Sequence, residues 1–110
     1  MIKEIDTQEL KEMIDSNNDF HLVETLMESD YNKWHLPGAI NIHFKKIGEA
    51  ARNQFSEDDT VVLYCHDENC NASPLAAKKL DSLGFNNIYH YSGGKKAWKE
   101  AGMPIENGAG

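Results

Sequence analysis

The stretch TVVLYCHDENCNASP (residues 60–74) decides the fold. From Val61 to Tyr64 the run is continuously apolar, with no polar residue at alternate positions. A strand of that kind is buried on both faces, as in a parallel sheet covered by helices. The run stops at Cys65, and a polar loop carrying Cys70 follows. After the loop, SPLAAKKLDSLG (73–84) sets Leu75, Ala76, Leu80 and Leu83 at helical spacing. Pro74 suits a first helical position, Gly84 suits the residue just past the end, and Ser73 or Asn71 is the expected cap.

Outward from this strand–loop–helix unit, the hydrophobic period keeps switching. DTQELKEMIDS (6–16) places Leu10, Met13 and Ile14 on one helical face, with Asp6 as N-cap and Glu9 three residues on. FHLVET (20–25) reads as a strand, MESDYNKW (27–34) as a helical turn, and LPGAINI (36–42) as a turn and a short strand. FKKIGEAAR (44–52) is expected to be helical, NIYHY (87–91) extended, and GGKKAWKEAG (93–102) a short helix opening on a glycine pair. Strands alternating with helices imply an α/β domain with a mostly parallel sheet. Ligands of such sheets bind beyond the carboxyl ends of the strands, where Cys65 falls.

The length, 110 residues, predicts one domain spanning residues 1–110. Hydrophobic residues make up 40% and charged residues 26%, an ordinary globular mixture. The net charge of −7 argues against nucleic acid and against an anionic membrane surface. No apolar run approaches a membrane span, and MIKEIDTQEL (1–10) lacks a secretory h-region, so a cytoplasmic protein is expected. In that compartment two cysteines are reduced and available for chemistry.

A thiol at a strand end, ahead of a loop and a helix start, can collect backbone N–H groups around its sulfur. Here those of His66, Asp67, Glu68, Asn69, Cys70 and Asn71 form the expected anion cradle. Such a cradle would lower the Cys65 pKa and make it a nucleophile. The competing reading is a small hydrophobe at the end of a buried strand.

Three further pieces fit a known pattern. HLVETLMESDYNKWHLPGAINI (21–42) ends in His-x-Pro-Gly-Ala-x-Asn, and Tyr64-Cys65 follows at the right distance. NNIYHYSGGKKAWKEAGMPIE (86–106) then supplies Gly-Gly, Trp and Gly-x-Pro in order. Together they resemble the rhodanese-homology domain, the single-domain sulfurtransferase type. The Cys65-x4-Cys70-Asn71 loop resembles a subgroup of that family. The resemblance implies a five-stranded parallel sheet flanked by helices on both faces. It also implies that Cys65 accepts a sulfane sulfur as a persulfide and passes it to a thiol or other acceptor. No metal or organic cofactor is implied. The implied donors are polysulfide, mercaptopyruvate, thiosulfate or a sulfur-carrying protein.

The chain also departs from the family. Where Asp-x-Arg is usual it has Glu24-Thr25-Leu26, losing a fixed cation near the site, and Trp34 stands where glycine is common. The loop is longer and lacks the usual arginine and glycine. Asp67 and Glu68 oppose a thiolate and repel anionic thiosulfate, which favours a neutral, polysulfide or protein-bound donor. The Cys-x5-Arg of related phosphatases is missing, since Asn71 stands at the arginine position.

Other residues carry paired readings. Cys70 either resolves a persulfide or sulfenate on Cys65 or is a passive loop residue. His66 is expected to be a solvent-exposed loop histidine, and His35 to fix the turn before Pro37 by hydrogen bonding. Glu24, Gly93 and Gly94 are expected to be structural and near the site, Trp34 and Trp98 core or rim aromatics. Glu57, Asp58 and Asp59 read as a solvated turn, and the cysteine and histidine spacing fits no common zinc site. The two rival functions are a non-catalytic interaction or sulfur-relay module and a Cys65/Cys70 redox switch.

Overall fold

A computed structural model describes residues 2–16 and 19–108; the remaining positions of the expected 1–110 domain lie outside the described residues. Its strands are β1 (Ile2–Ile5), β2 (His21–Glu24), β3 (Ile40–Asn41), β4 (Thr60–Tyr64) and β5 (Asn87–Tyr91). Its helices are α1 (Thr7–Asp15), α2 (Glu28–Lys33), α3 (Ile47–Gln54), α4 (Ala72–Ser82) and α5 (Gly94–Glu100). A 3₁₀ turn at Phe44–Lys46 leads into α3.

The strands form one five-stranded sheet in the order β1-β5-β4-β2-β3. Every pairing is parallel, so the expected "mostly parallel" sheet is wholly so. The apolar run 61–64 lies on the central strand β4, between β5 and β2. Its alternation splits the core in two. Val61 and Leu63 join Ile88 against Ile47 and Ala51 of α3 and Ala76, Ala77 and Leu80 of α4. Val62 and Tyr64 join Tyr91 against Leu10 of α1 and Trp98 of α5. Helices therefore cover both faces, and fully burying each such side chain stabilises by about 1.5–3 kcal/mol.

Local signals account for most boundaries. Asp6 caps α1 through the Glu9 N–H at 2.8 Å, and Glu9 returns the bond to the Asp6 N–H at 3.0 Å. That reciprocal box contributes about 1 kcal/mol. Glycines in the left-handed region follow α4 and α5, at Gly84 (φ 91°) and Gly102 (φ 73°).

Four expectations need correction. β1 was not read as a strand, because a four-residue edge segment with two charged side chains carries almost no period. α4 begins at Ala72, so Pro74 is its third residue rather than its first. Leu75 is 49% exposed, since the buried face of α4 runs through Ala72, Ser73, Ala76, Ala77 and Leu80 and leaves Leu75 off it. The acidic turn 57–59 is also more than a solvated one. Asp59 accepts from the Ser56 N–H and meets the His21 ring, while Asp58 accepts from the Asn86 and Asn87 side chains. These bonds tie the entry of β4 to the entries of β2 and β5.

Candidate functional site

Because every strand runs the same way, the chain leaves β2, β4 and β5 at one edge of the sheet. Cys65 is the first residue past β4 and is 2% exposed. Its neighbours are Leu26, Ala72, Phe44 and Cys70. The loop turns on Asp67, whose carbonyl accepts from the Cys70 N–H at 3.2 Å and whose carboxylate accepts from the Asn69 N–H at 2.9 Å. Two donors of the expected cradle are thus committed to Asp67.

The start of α5 docks directly on this loop. The Lys95 N–H donates to the Cys65 carbonyl and the Lys96 N–H to the His66 carbonyl, both at 2.9 Å. Gly94 makes the approach possible: its φ is 63°, and a Cβ there would lie 2.5 Å from the Cys65 carbonyl oxygen. Gly93 is close-packed too, 2.7 Å from the Ala97 Cβ by the same construction.

The Cys65 sulfur lies 3.1 Å from the Ser73 hydroxyl, which lies 2.8 Å from His90 Nε2. On the far side of the ring, His90 Nδ1 is 2.7 Å from the Glu4 carboxylate. Ser73 is therefore not the helix cap. Asn71 holds the cap position without a side-chain bond, and Ser73 sits buried inside the first turn.

Electrostatically the resting thiol is the reverse of the expected one. Burial, then hydrogen bonding to the Cys70 thiol, push Cys65 up to about 11, while the Ser73 hydroxyl and amide pull it down. Desolvating a charged form costs more here than the local donors return.

Under the site lies a buried ion pair that sequence reading did not foresee. Glu24 is fully buried and lies 3.0 Å from Lys95 Nζ. The Tyr64 hydroxyl donates to the same carboxylate at 2.9 Å, and Lys95 also donates to the Asp30 carbonyl at 2.9 Å. Burial raises the Glu24 pKa, against the opposing pull of Lys95 and Tyr64. Lys95 Nζ sits 4.9 Å from the centre of the Trp34 ring. A cation from α5 thus stands beside Glu24.

A groove of about 710 Å³, within the range of small-molecule sites, opens beside the loop. Asp30, Lys33, Trp34, His66, Asp67, Asn69, Cys70, Lys95 and Lys96 line it. Cys70 lines the groove; Cys65, 2% exposed, does not. Lys33 and Lys96 offset Asp30 and Asp67, with Lys95 held by Glu24, whereas Glu68 lines a smaller cleft with Gly93 and Glu100. His66 is exposed, with Nε2 3.8 Å from the Asp30 carboxylate. His35 stands apart, its ring stacked on Tyr31 and bonded to the Tyr31 carbonyl at 2.9 Å. Its backbone pairs with Glu106 in both directions.

Sequence reading missed Ser73, His90, Glu4 and Lys95. One signal was available for His90: in NIYHY it shares the inward period of Ile88, an unusual place for an unpartnered imidazole.

The rhodanese-like domain family matches residues 6–101. The chain is 26% identical over 97 residues to YrkF of Bacillus subtilis, whose name places it among sulfur carrier proteins. That match covers 88% of this chain and 51% of YrkF. It is 33% identical to the mouse thiosulfate sulfurtransferase/rhodanese-like domain-containing protein 3, covering 87% of this chain and 68% of that protein. The crystal structure of the BH2092 protein from Bacillus halodurans superposes with a TM-score of 0.88 at 28% identity, covering 98% of this chain and 79% of that one. Against three curated bacterial relatives, the chain spans between 37% and 51% of their length. The chain belongs to the rhodanese-like domain family.

Proposed function

We propose that this member of the rhodanese-like family is a sulfurtransferase that carries sulfane sulfur as a persulfide on Cys65. It falls in the subgroup with a Cys-x4-Cys-Asn loop, and residues 1–110 work as one cytoplasmic domain without a cofactor. The observation that carries the reading is the seat of Cys65. It directly follows the central strand, the loop that it opens lines a groove, and its sulfur is hydrogen-bonded to Ser73.

The chemistry is two exchanges of one bond each. Cys65 thiolate attacks the sulfane sulfur of a donor R–S–SH; the new S–S bond forms as the donor's S–S bond breaks, and RS⁻ leaves with the electron pair, as sulfite does from thiosulfate. From mercaptopyruvate the C–S bond breaks instead, and pyruvate leaves as its enolate. An acceptor thiolate then takes the outer sulfur of Cys65–S–SH, returning Cys65 as the thiolate. Any remaining N–H groups of residues 66–71 that point at the outer sulfur would hold its charge. Lys33 and Lys96 at the groove rim suit a small anionic or polysulfide donor, mercaptopyruvate and thiosulfate included, or an acidic segment of a sulfur-carrying protein. Nucleic acid and membrane are not partners in this reading. No described helix is long and apolar enough to cross a membrane.

A second reading rests on the contact between the two thiols. Cys70 faces the groove, so it would take sulfur first and relay it, or its persulfide would be attacked at the inner sulfur by Cys65, closing a disulfide as HS⁻ leaves with the electron pair. In that case turnover on small donors is negligible and the protein works as a relay or redox module.

Intact-protein mass spectrometry after incubation with each donor separates these readings. The sulfurtransferase reading predicts one added sulfur in wild type and Cys70→Ser and none in Cys65→Ser. The added sulfur is then lost to cyanide or an acceptor thiol. No gain from any donor rejects it, and a gain abolished only in Cys70→Ser moves the carrier to Cys70.

A further inference from the structure

The resting Cys65 thiol is buried among Leu26, Ala72 and Phe44, a poor place to form a thiolate without help. The structure supplies a route for the proton. We infer that His90, held by Glu4, is the proton acceptor for Cys65, and that Ser73 carries the proton between them. This rests on the reading of Cys65 as the nucleophile and adds the group that activates it.

The direction of the chain follows from its far end. Glu4, with an exposed side chain on β1, can only accept from His90 Nδ1 when ionised, at 2.7 Å. Nδ1 therefore carries the ring proton, and Nε2 of the neutral ring is the acceptor. The Ser73 hydroxyl, 2.8 Å from Nε2, donates to it and leaves its lone pairs for the Cys65 S–H at 3.1 Å. Each link then has a donor and an acceptor, all pointing from sulfur to imidazole, with Cys70 the competing acceptor for the Cys65 S–H.

Three elements meet to build this line. β1 brings Glu4, β5 brings His90 and α4 brings Ser73, next to the end of β4. The titratable groups that touch it are Glu4, at His90, and Cys70, at Cys65; α4 otherwise packs with Ala76 and Ala77, which do not titrate. In the step itself, the Cys65 S–H proton moves to Ser73 Oγ as the Ser73 O–H proton moves to His90 Nε2. The S–H bonding pair stays on sulfur. The product is a thiolate accepting from Ser73 and an imidazolium whose Nδ1–H is held by the Glu4 carboxylate. Nothing is oxidised or reduced. A serine that passes a proton to a carboxylate-backed histidine uses the logic of a hydrolase triad, with the thiol one link further out.

Two measurements test this without any sulfur donor, so their failure is separate from failure of the sulfurtransferase reading. The first is the ¹⁵N chemical shift of the His90 ring near neutral pH. The Nδ1–H tautomer with bare Nε2 is expected; the Nε2–H tautomer overturns the inference, because Ser73 then has nowhere to send its proton. The second is the alkylation rate of Cys65 by iodoacetamide, read on the Cys65 peptide, from about pH 6 up to about 11. Near neutral pH, Ser73→Ala and His90→Gln should lose about 10²-fold, the usual size of a general-base effect. The loss should close as the pH approaches the thiol's own ionisation, with Ser73→Thr recovering most of the rate. Glu4→Gln should show a smaller loss with the same pH dependence. A deficit equal at all pH values means that Ser73 and His90 only support packing, and it overturns the inference. So does the absence of any deficit, or a wild-type Cys65 that reacts only above its own ionisation.

Discussion

Ser73 shows how one side chain changes its meaning with context. Beside Pro74 it has the sequence position of a helix cap, but its hydroxyl is spent on Cys65 and His90. At this scale the main consequence is for stability against pH. The Cys65 thiol lies near 11 in the fold against an ordinary 9.0. Between those values the native state keeps a proton that the unfolded chain has lost, so unfolding becomes easier as pH rises. Two pH units correspond to about 2–3 kcal/mol at most. Urea unfolding from pH 8 toward 11 should therefore show a steeper loss for wild type than for Cys65→Ser. Equal slopes would place the thiol outside the buried seat described here.

At the scale of elements, the site depends on α5 docking against the loop after β4. Gly94→Ala forces a Cβ into the Cys65 carbonyl at 2.5 Å in a left-handed backbone. It should cost at least about 2 kcal/mol, combining αL strain with the clash, and should blunt Cys65 reactivity; Gly102→Ala, with open space around it, serves as the comparison. The Glu24–Lys95 pair joins β2 to α5 from below. Lys95→Met strands a buried carboxylate and should cost about 3–5 kcal/mol by chemical denaturation, while Glu24→Leu with Lys95→Met should recover much of it. Full additivity of the two single changes would show that the pair is not coupled. These elements were unevenly legible in the sequence. β4, α1 with its capping box, and α5 with its glycine pair follow from strong local patterns. β1 did not, because its four residues gain their structure only by pairing with β5. The proton line from Cys65 to Glu4 was illegible for the same reason: its members lie on three separate segments, and only the sheet order β1-β5-β4 brings them together.

Over the whole molecule, the charge of −7 sets how donors approach. Long-range repulsion slows anionic donors and leaves neutral ones untouched. Close in, Lys33 and Lys96 balance Asp30 and Asp67 at the groove, while Lys95 is paired with Glu24. Raising salt from low to about 0.15 M shortens the Debye length to about 8 Å, which removes the distant repulsion. Loading by an anionic donor should therefore speed up over that range, with no change for alkylation by a neutral reagent. A slower anionic reaction would mean that the groove lysines dominate the field at every distance.

The central claim is that Cys65 holds the transferred sulfur, and the most direct test is to find that sulfur on the chain. Wild-type protein is loaded with polysulfide, its persulfide is trapped by alkylation, and the peptides are sequenced by tandem mass spectrometry before and after an acceptor thiol is added. The account predicts the extra sulfur on Cys65 before the acceptor and a bare Cys65 after it. An extra sulfur confined to Cys70, or a Cys65 that never carries one, would contradict it.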